Sequence, residues 1–263
     1  MSRAARFVQE TRALARRWAI QAAREPFSLL FALFQPLILL LFLGSSLQRM
    51  GGAIAGAAAG PAGGDYRVFM MPGILALTVF GNSMAGGIPI LFDRESGFLS
   101  RLLSAPIARS AMFVGRFLVV NAISTIQILL MMGLGALLGL RVAAGLPGVA
   151  GIVGLSLALG FGFTVLSLVL AFRLKGHAAF FTLLSVITLP VTFLSSAFVP
   201  LEALPGWMRA VALVNPMTWA IGGMRELVAG GGTALSLAEA FGALGLFDLI
   251  ALVVGIRELS RRL

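Results

Sequence analysis

Cysteine is absent from this 263-residue chain, and histidine and lysine occur once each. The first absence excludes disulfides, thiolate metal sites and cysteine nucleophiles, and carries no information about compartment. One histidine, His177, makes no metal site. The only lysine, Lys175, is followed by Gly176-His177, and no GxxxxGK[ST] occurs, so the phosphate cradle of an ATP-hydrolysing domain is missing. Charge is scarce too, at 11% of residues, and no Ser/His/Asp or paired-carboxylate constellation suggests chemistry on a bound substrate.

What fills the chain instead is apolar: 59% of residues are hydrophobic and the mean hydropathy is +1.00. Several runs approach ~20 residues without a charge, the length a helix needs to cross hydrocarbon. In lipid the backbone must satisfy its own hydrogen bonds, so such runs become helices. The expected fold is an all-α integral membrane domain over 27–256, with six spans at 27–48, 68–91, 117–140, 149–172, 177–199 and 234–256. A cleaved signal peptide is the rival for the first run, because Ala57-Ala58-Ala59 lies downstream. That run exceeds an h-region of ~7–15 residues and follows a long basic segment, which favours an uncleaved span.

The net charge of +10 raises the question of nucleic acid. The arginines, however, sit between apolar runs rather than on one face of a soluble domain, so membrane topology explains them and no nucleic-acid partner is expected. With the N-terminus inside, cytoplasmic pieces hold fifteen Lys and Arg against five opposite, which predicts both termini, including a tail at 257–263, in the cytoplasm. The low-complexity loop 50–64 then lies outside and reads as mobile.

Residues 1–26 read as an amphipathic helix in the headgroup plane. Phe7, Leu14 and Trp18 form its apolar stripe, while Arg6, Arg12, Arg16, Arg17 and Arg24 meet anionic lipid. The alternative is a basic tail serving only as a topology signal.

One stretch stands apart: LFDRESGFLSRLLSAPIARS, beginning at Leu91, with six charges between Asp93 and Arg116. Phe98, Leu99, Leu102 and Leu103 share one face of a short helix, Ser100, Arg101 and Ser104 the other, and Pro106 stops it. Asp93 and Glu95 are expected at its start, where the helix dipole favours negative charge. About two turns of helix are marginal alone, so the segment, placed at about 93–106, needs a surface to dock on. The membrane or the protein's own helix ends is one candidate; the groove of a soluble partner is the other.

This stretch, extended to LFDRESGFLSRLLSAPIARSAMFVGR, resembles the cytoplasmic signature of type-2 ATP-binding-cassette transporter permeases through Asp93, Arg94, Glu95, Gly97, Leu102, Leu103, Pro106, Arg109, Gly115 and Arg116. A second segment, FLSSAFVPLEALPGWMRAVALVNPMTWAIGGMREL, is similar to that family's ending of span 5, with Pro200, Pro205, Trp207, Asn215, Pro216 and Arg225 in place. The resemblance implies that Asp93, Arg94, Glu95, Gly97, Phe98, Leu99, Leu102, Leu103 and Pro106 belong to a coupling helix received by a cytoplasmic ATPase. It also implies short re-entrant helices capping the pathway before the last span. ATP and magnesium would be bound by that partner, present in two copies, and this chain would carry no cofactor of its own. A second permease copy completes the expected assembly, in the plasma (inner) membrane.

The expected role is export of a hydrophobic or amphipathic substrate: a drug, lipid or lipid-linked molecule. Twenty Phe against one Tyr and three Trp favour apolar cargo over sugar. The alternatives are a polysaccharide or lipid-glycan exporter and an ion-driven carrier switched by Asp248. That intramembrane acid is a functional candidate by default, or else pairs with an arginine such as Arg225 or Arg257. Gln35, Asn82, Asn121 and Gln127 are expected to bond between helices, and Pro36, Pro89 and Pro190 to kink them.

Overall fold

A computed structural model describes residues 2–24, 26–43, 66–104, 108–174, 176–230 and 233–261. The loop 50–64, Lys175 and Pro106 lie outside them, as does the side chain of Leu103. The described chain is helical, and no strand occurs among its residues. In order the helices are α1 Arg3–Ala23, α2 Pro26–Ile38, α3 Tyr66–Ala85, α4 Ile88–Glu95, α5 Phe98–Ser104, α6 Arg109–Leu137, α7 Gly145–Arg173, α8 His177–Phe193, α9 Gly206–Val214, α10 Pro216–Ala229 and α11 Ala234–Arg261.

Among the described residues, four segments are long and apolar enough to cross a bilayer: Tyr66–Glu95, Ser110–Leu137, Gly145–Arg173 and Ser236–Glu258. Of the expected span 27–48, the described part is α2 continued by a π-helical stretch, Leu39–Leu43, and 44–48 lie outside the described residues. Its Pro36 removes one ladder hydrogen bond just before the widened turns. The expected span 177–199 is helical only to Phe193, because the chain unwinds at Leu194 (φ −94°, ψ 39°). The tail expected at 257–263 continues α11 to Arg261, and Glu258 is held there by Arg173, 2.6 Å away.

Helix α7 is the centre, packed by α3, α6, α10 and α11. Its small residues allow this close approach, the usual solution in lipid where burial between helices gains no hydrophobic energy. A Cβ on Gly162 would collide with Phe247 and Asp248 of α11. Around this core Phe80 meets Phe163 edge-on at 4.7 Å, and Phe163 meets Phe247 at 4.9 Å. The outward faces of α2, α6 and α11 expose Phe31, Phe34, Leu118, Ile126, Leu249 and Ile250, an apolar surface suited to lipid or another chain.

Helix α1 does not present its stripe to the membrane. Leu14 and Trp18 are buried against α6, in a second core with Leu91, Leu99, Met112 and Phe180. Gly115 lets the helices meet: a Cβ there would lie 3.2 Å from the Thr11 carbonyl and 3.3 Å from the Trp18 ring. Phe7 is partly buried at the edge of the same cluster.

Candidate functional site

The charged stretch forms an elbow, and its geometry begins in the preceding span. Pro89 has no N–H, so α3 cannot run unbroken into α4, and the chain bends at Gly86-Gly87. The freed backbone groups find partners on neighbouring helices. Ser167 of α7 accepts from Gly87 N (2.9 Å) and donates to the Met84 carbonyl (2.5 Å). Arg116 of α6 donates to the Gly86 carbonyl (2.7 Å). Only glycine fits at 87, because a Cβ would stand 2.6 Å from the Ser167 carbonyl oxygen.

Beyond this joint the structure corrects the expected single helix at 93–106. Asp93 and Glu95 end α4; Gly97, at φ +70°, turns the chain into the separate α5. Both acids therefore lie at a helix C-terminus, where the dipole opposes them, and each is compensated by a distant cation or histidine. Arg17 of α1 binds Asp93 through both nitrogens, Nη1–Oδ2 at 2.8 Å and Nη2–Oδ1 at 2.5 Å. His177 Nδ1, at the start of α8, lies 2.6 Å from Glu95 Oε1. Arg94 donates to the Leu174 carbonyl (2.9 Å) at the end of α7. The hydrogen bond to Asp93 raises the Arg17 pKa above its ordinary value despite partial burial.

Arg17 also stacks over the Phe98 ring at 3.9 Å. Glu10 of α1 accepts from Ala108 N (2.9 Å), which fixes the return of the chain into α6. The apolar face of α5 is turned inward: Leu99 is buried and Leu102 packs on the same second core. Of the two surfaces foreseen for it, the protein's own helix ends receive these side chains. The outward face carries Phe92, 54% exposed, with Glu95, Ser96, Arg101 and Ser104.

A second cluster lies at the opposite end of α3. Where α8 unwinds, the Val191 and Leu194 carbonyls accept from Asn215 Nδ2 at 2.8 and 2.9 Å. The same side chain accepts from Met217 N (3.0 Å) and so caps α10, whose first residue is Pro216. Arg225 donates to the carbonyls of Ser196 (2.5 Å) and Phe69 (3.2 Å) and lies 3.7 Å over the Phe69 ring. This arginine is therefore not the partner of Asp248, whose Oδ1 is buried with no hydrogen-bond partner among the described residues. Pro200 is buried, Pro205 precedes α9, and Trp207 on α9 is 66% exposed. With nine and fourteen residues, α9 and α10 reach only about 13 and 21 Å, short of the ~30 Å hydrocarbon core.

Between these ends a cavity of about 900 Å³ opens among α2, α3, α8 and α9. Its walls are apolar, with Gln35, Thr78, Asn82, Thr188 and Thr192 set among them. Asn82 also donates across to α6, to Ser124 (3.1 Å) and Gln127 (2.5 Å), as expected of an interhelical bond. Asn121 instead donates within its own helix, to the Phe117 carbonyl at 3.0 Å.

The fold is thus an α-helical membrane domain with a pinned elbow at one end and two short helices at the other. Residues 9–228 match the family described as ABC-2 type transporter, and the chain belongs to that family. It is 32% identical to a putative transport permease, ycf38, of Cyanophora paradoxa over 222 residues, 84% of this chain and 74% of the relative. It is 27% identical to the daunorubicin resistance ABC transporter permease protein DrrB1 of Streptomyces coeruleorubidus, over 78% of this chain and 70% of that one. A probable multidrug ABC transporter permease, YbhR, of Escherichia coli is 27% identical over 58% of this chain and 41% of its own length. The protein is thus a membrane permease of the ATP-binding-cassette type, a class that works with ATPase partner subunits.

Ser167 escaped the sequence reading, as did the pairing roles of Arg17, Arg116 and His177, because each acts on a residue far away in the chain. A local signal did exist for Gly97: a glycine directly after Glu95-Ser96 reads as a helix stop.

Proposed function

We propose that the protein exports a hydrophobic or amphipathic compound (a drug, a lipid or a lipid-linked molecule) from the cytoplasm or inner leaflet. Two identical permeases pair with two ATPases that bind ATP and magnesium, in the plasma (inner) membrane with both termini in the cytoplasm. The α4–α5 elbow is the coupling element, and its outward residues Phe92, Glu95, Arg101 and Ser104 face the ATPase groove. Family membership favours this energy source over ion coupling through Asp248.

One observation carries this reading: the elbow is fastened to α1, α7 and α8 at once by Asp93, Arg94 and Glu95. A push on such an element is not absorbed locally. It moves the α7–α8 junction and, through the Gly86-Gly87 joint, the helix whose Thr78 and Asn82 line the cavity. At the far end Asn215 and Pro216 hold the α9–α10 cap that closes the pathway outward, with Pro200, Pro205 and Trp207 at its rim. The apolar cavity walls, together with the daunorubicin-resistance and multidrug names of two relatives, support an apolar cargo.

The test is co-purification in mild detergent followed by transport in vesicles. The wild type should retain a stoichiometric ATPase and show vanadate-sensitive export. Phe92→Asp with Arg101→Glu changes only exposed side chains and should lose the ATPase while melting normally. Undiminished co-purification of the ATPase with that variant would sink the coupling assignment.

A further inference from the structure

Docking α1 on α6 leaves a groove beside the contact, about 770 Å³, within the ~300–1,000 Å³ range of sites that hold a ligand. Val8, Ala15 and Ala19 of α1 form one wall, and Val114, Leu118 and Ile126 of α6 the other. The alanines make it: their short side chains leave open the space that a longer residue would fill. From Val114 to Ile126 the groove follows α6 for about 18 Å, against ~15 Å for one leaflet's share of the hydrocarbon core.

Its rim is charged on one side only. Arg12 and Arg16 border the groove, are exposed, and form no hydrogen bond or ion pair with a described residue. The arginines on the other flank differ: Arg6 pairs with Glu10 and Arg17 with Asp93. Among the described residues no acidic side chain lines the groove. A second copy docked symmetrically here would bring its own Arg12 and Arg16 against these, and like charges oppose that.

We infer that this groove is a binding site for one anionic phospholipid, an acyl chain lying between α1 and α6 and the headgroup phosphate held by Arg12 and Arg16. The lipid then acts as a wedge that sets how far α1, and with it the Arg17–Asp93 contact, stands from α6.

The test uses the purified full-length chain, stripped of lipid in detergent and titrated with phosphatidylglycerol or phosphatidylcholine under native mass spectrometry. The wild type should bind one phosphatidylglycerol per chain at concentrations where phosphatidylcholine is lost. Arg12→Gln with Arg16→Gln should weaken that preference about thirty-fold, at roughly five-fold per arginine near a lipid phosphate. Ala19→Phe should abolish the tight site for both lipids, and Arg24→Gln, off the groove, should change nothing. Equal retention of the two lipids by the wild type, or an unaltered preference in the double arginine variant, overturns the inference. So does a change of oligomeric state in Ala19→Phe with lipid binding intact, which would give the groove to a second copy.

Discussion

Arg17 grips Asp93 with both ends of its guanidinium, joining the N-terminal helix to the last turn of α4. Asp93 is buried while Arg17 stays partly open, so the carboxylate depends on the arginine for its neutralisation. Arg17→Ala is expected to cost about 1.5–3 kcal/mol, the worth of a charge-assisted hydrogen bond, with the loss moderated by water reaching the site. Asp93→Asn should cost less, because an amide still accepts from the arginine. Because folding raises the Arg17 pKa, its contribution is complete below the unfolded value and disappears only as pH rises through the folded one. Thermal unfolding in detergent should therefore give equal differences between wild type and Arg17→Ala at pH 7 and pH 9.

Asn215 performs two tasks that substitution can separate. Asn215→Asp keeps the oxygen that caps α10 but loses the amide that serves the Val191 and Leu194 carbonyls. Two acceptors would then face a carboxylate. A loss of about 2–4 kcal/mol is expected, from two broken hydrogen bonds and the repulsion. Asn215→Ser, which also keeps a cap, should show a smaller loss. Equal melting temperatures for Asn215→Asp and the wild type would mean that the end of α8 is held by something else.

The spans were legible because hydropathy accumulates over ~20 residues and survives ignorance of neighbours. Periodicity likewise marked Phe7, Leu14 and Trp18 as a covered face, but a period says that a face is buried, not by what. Lipid and helix α6 offer an apolar stripe the same environment, and only the close approach at Gly115 separates them. The elbow residues were found by pattern, yet Asp93 and Glu95 were assigned to the wrong helix end. Their stabilising partners, Arg17 and His177, are far away in sequence, so the local dipole argument had nothing to oppose it. For Leu99 and Leu102 the same amphipathic face fits a foreign groove or the protein's own second core, and three-dimensional packing selects the latter.

The two elbow glycines should respond differently. At Gly87 an added methyl meets the Ser167 backbone at 2.6 Å, so Gly87→Ala forces α3 and α7 apart. About 1–3 kcal/mol of overpacking is expected, together with reduced transport. At Gly97 nothing lies within 4 Å, and the cost of Gly97→Ala is the positive φ alone, about 1–2 kcal/mol. Gly97→Asn, which tolerates that conformation, should recover most of this, whereas no side chain should rescue position 87.

Asp248 supplies the sharpest contrast between motor-driven and ion-driven transport. Its carboxyl abuts Gly162 of α7, and Arg225, one of the two arginines considered as its partner, is committed to backbone carbonyls. A carboxyl oxygen buried without a hydrogen-bond partner is costly, so this acid serves best as a polar packing contact between α7 and α11. Asp248→Asn is nearly isosteric and should leave vesicle transport within about two-fold of wild type, since changes that keep shape and polarity cost little. Asp248→Leu, which branches into Phe247 and Gly162, should lower the melting temperature instead. Abolished transport in Asp248→Asn, with ATPase binding and melting unchanged and with export in the wild type collapsing on proton-gradient dissipation, would make the acid a coupling site. Full activity in Asp248→Asn would remove this acid as a coupling site.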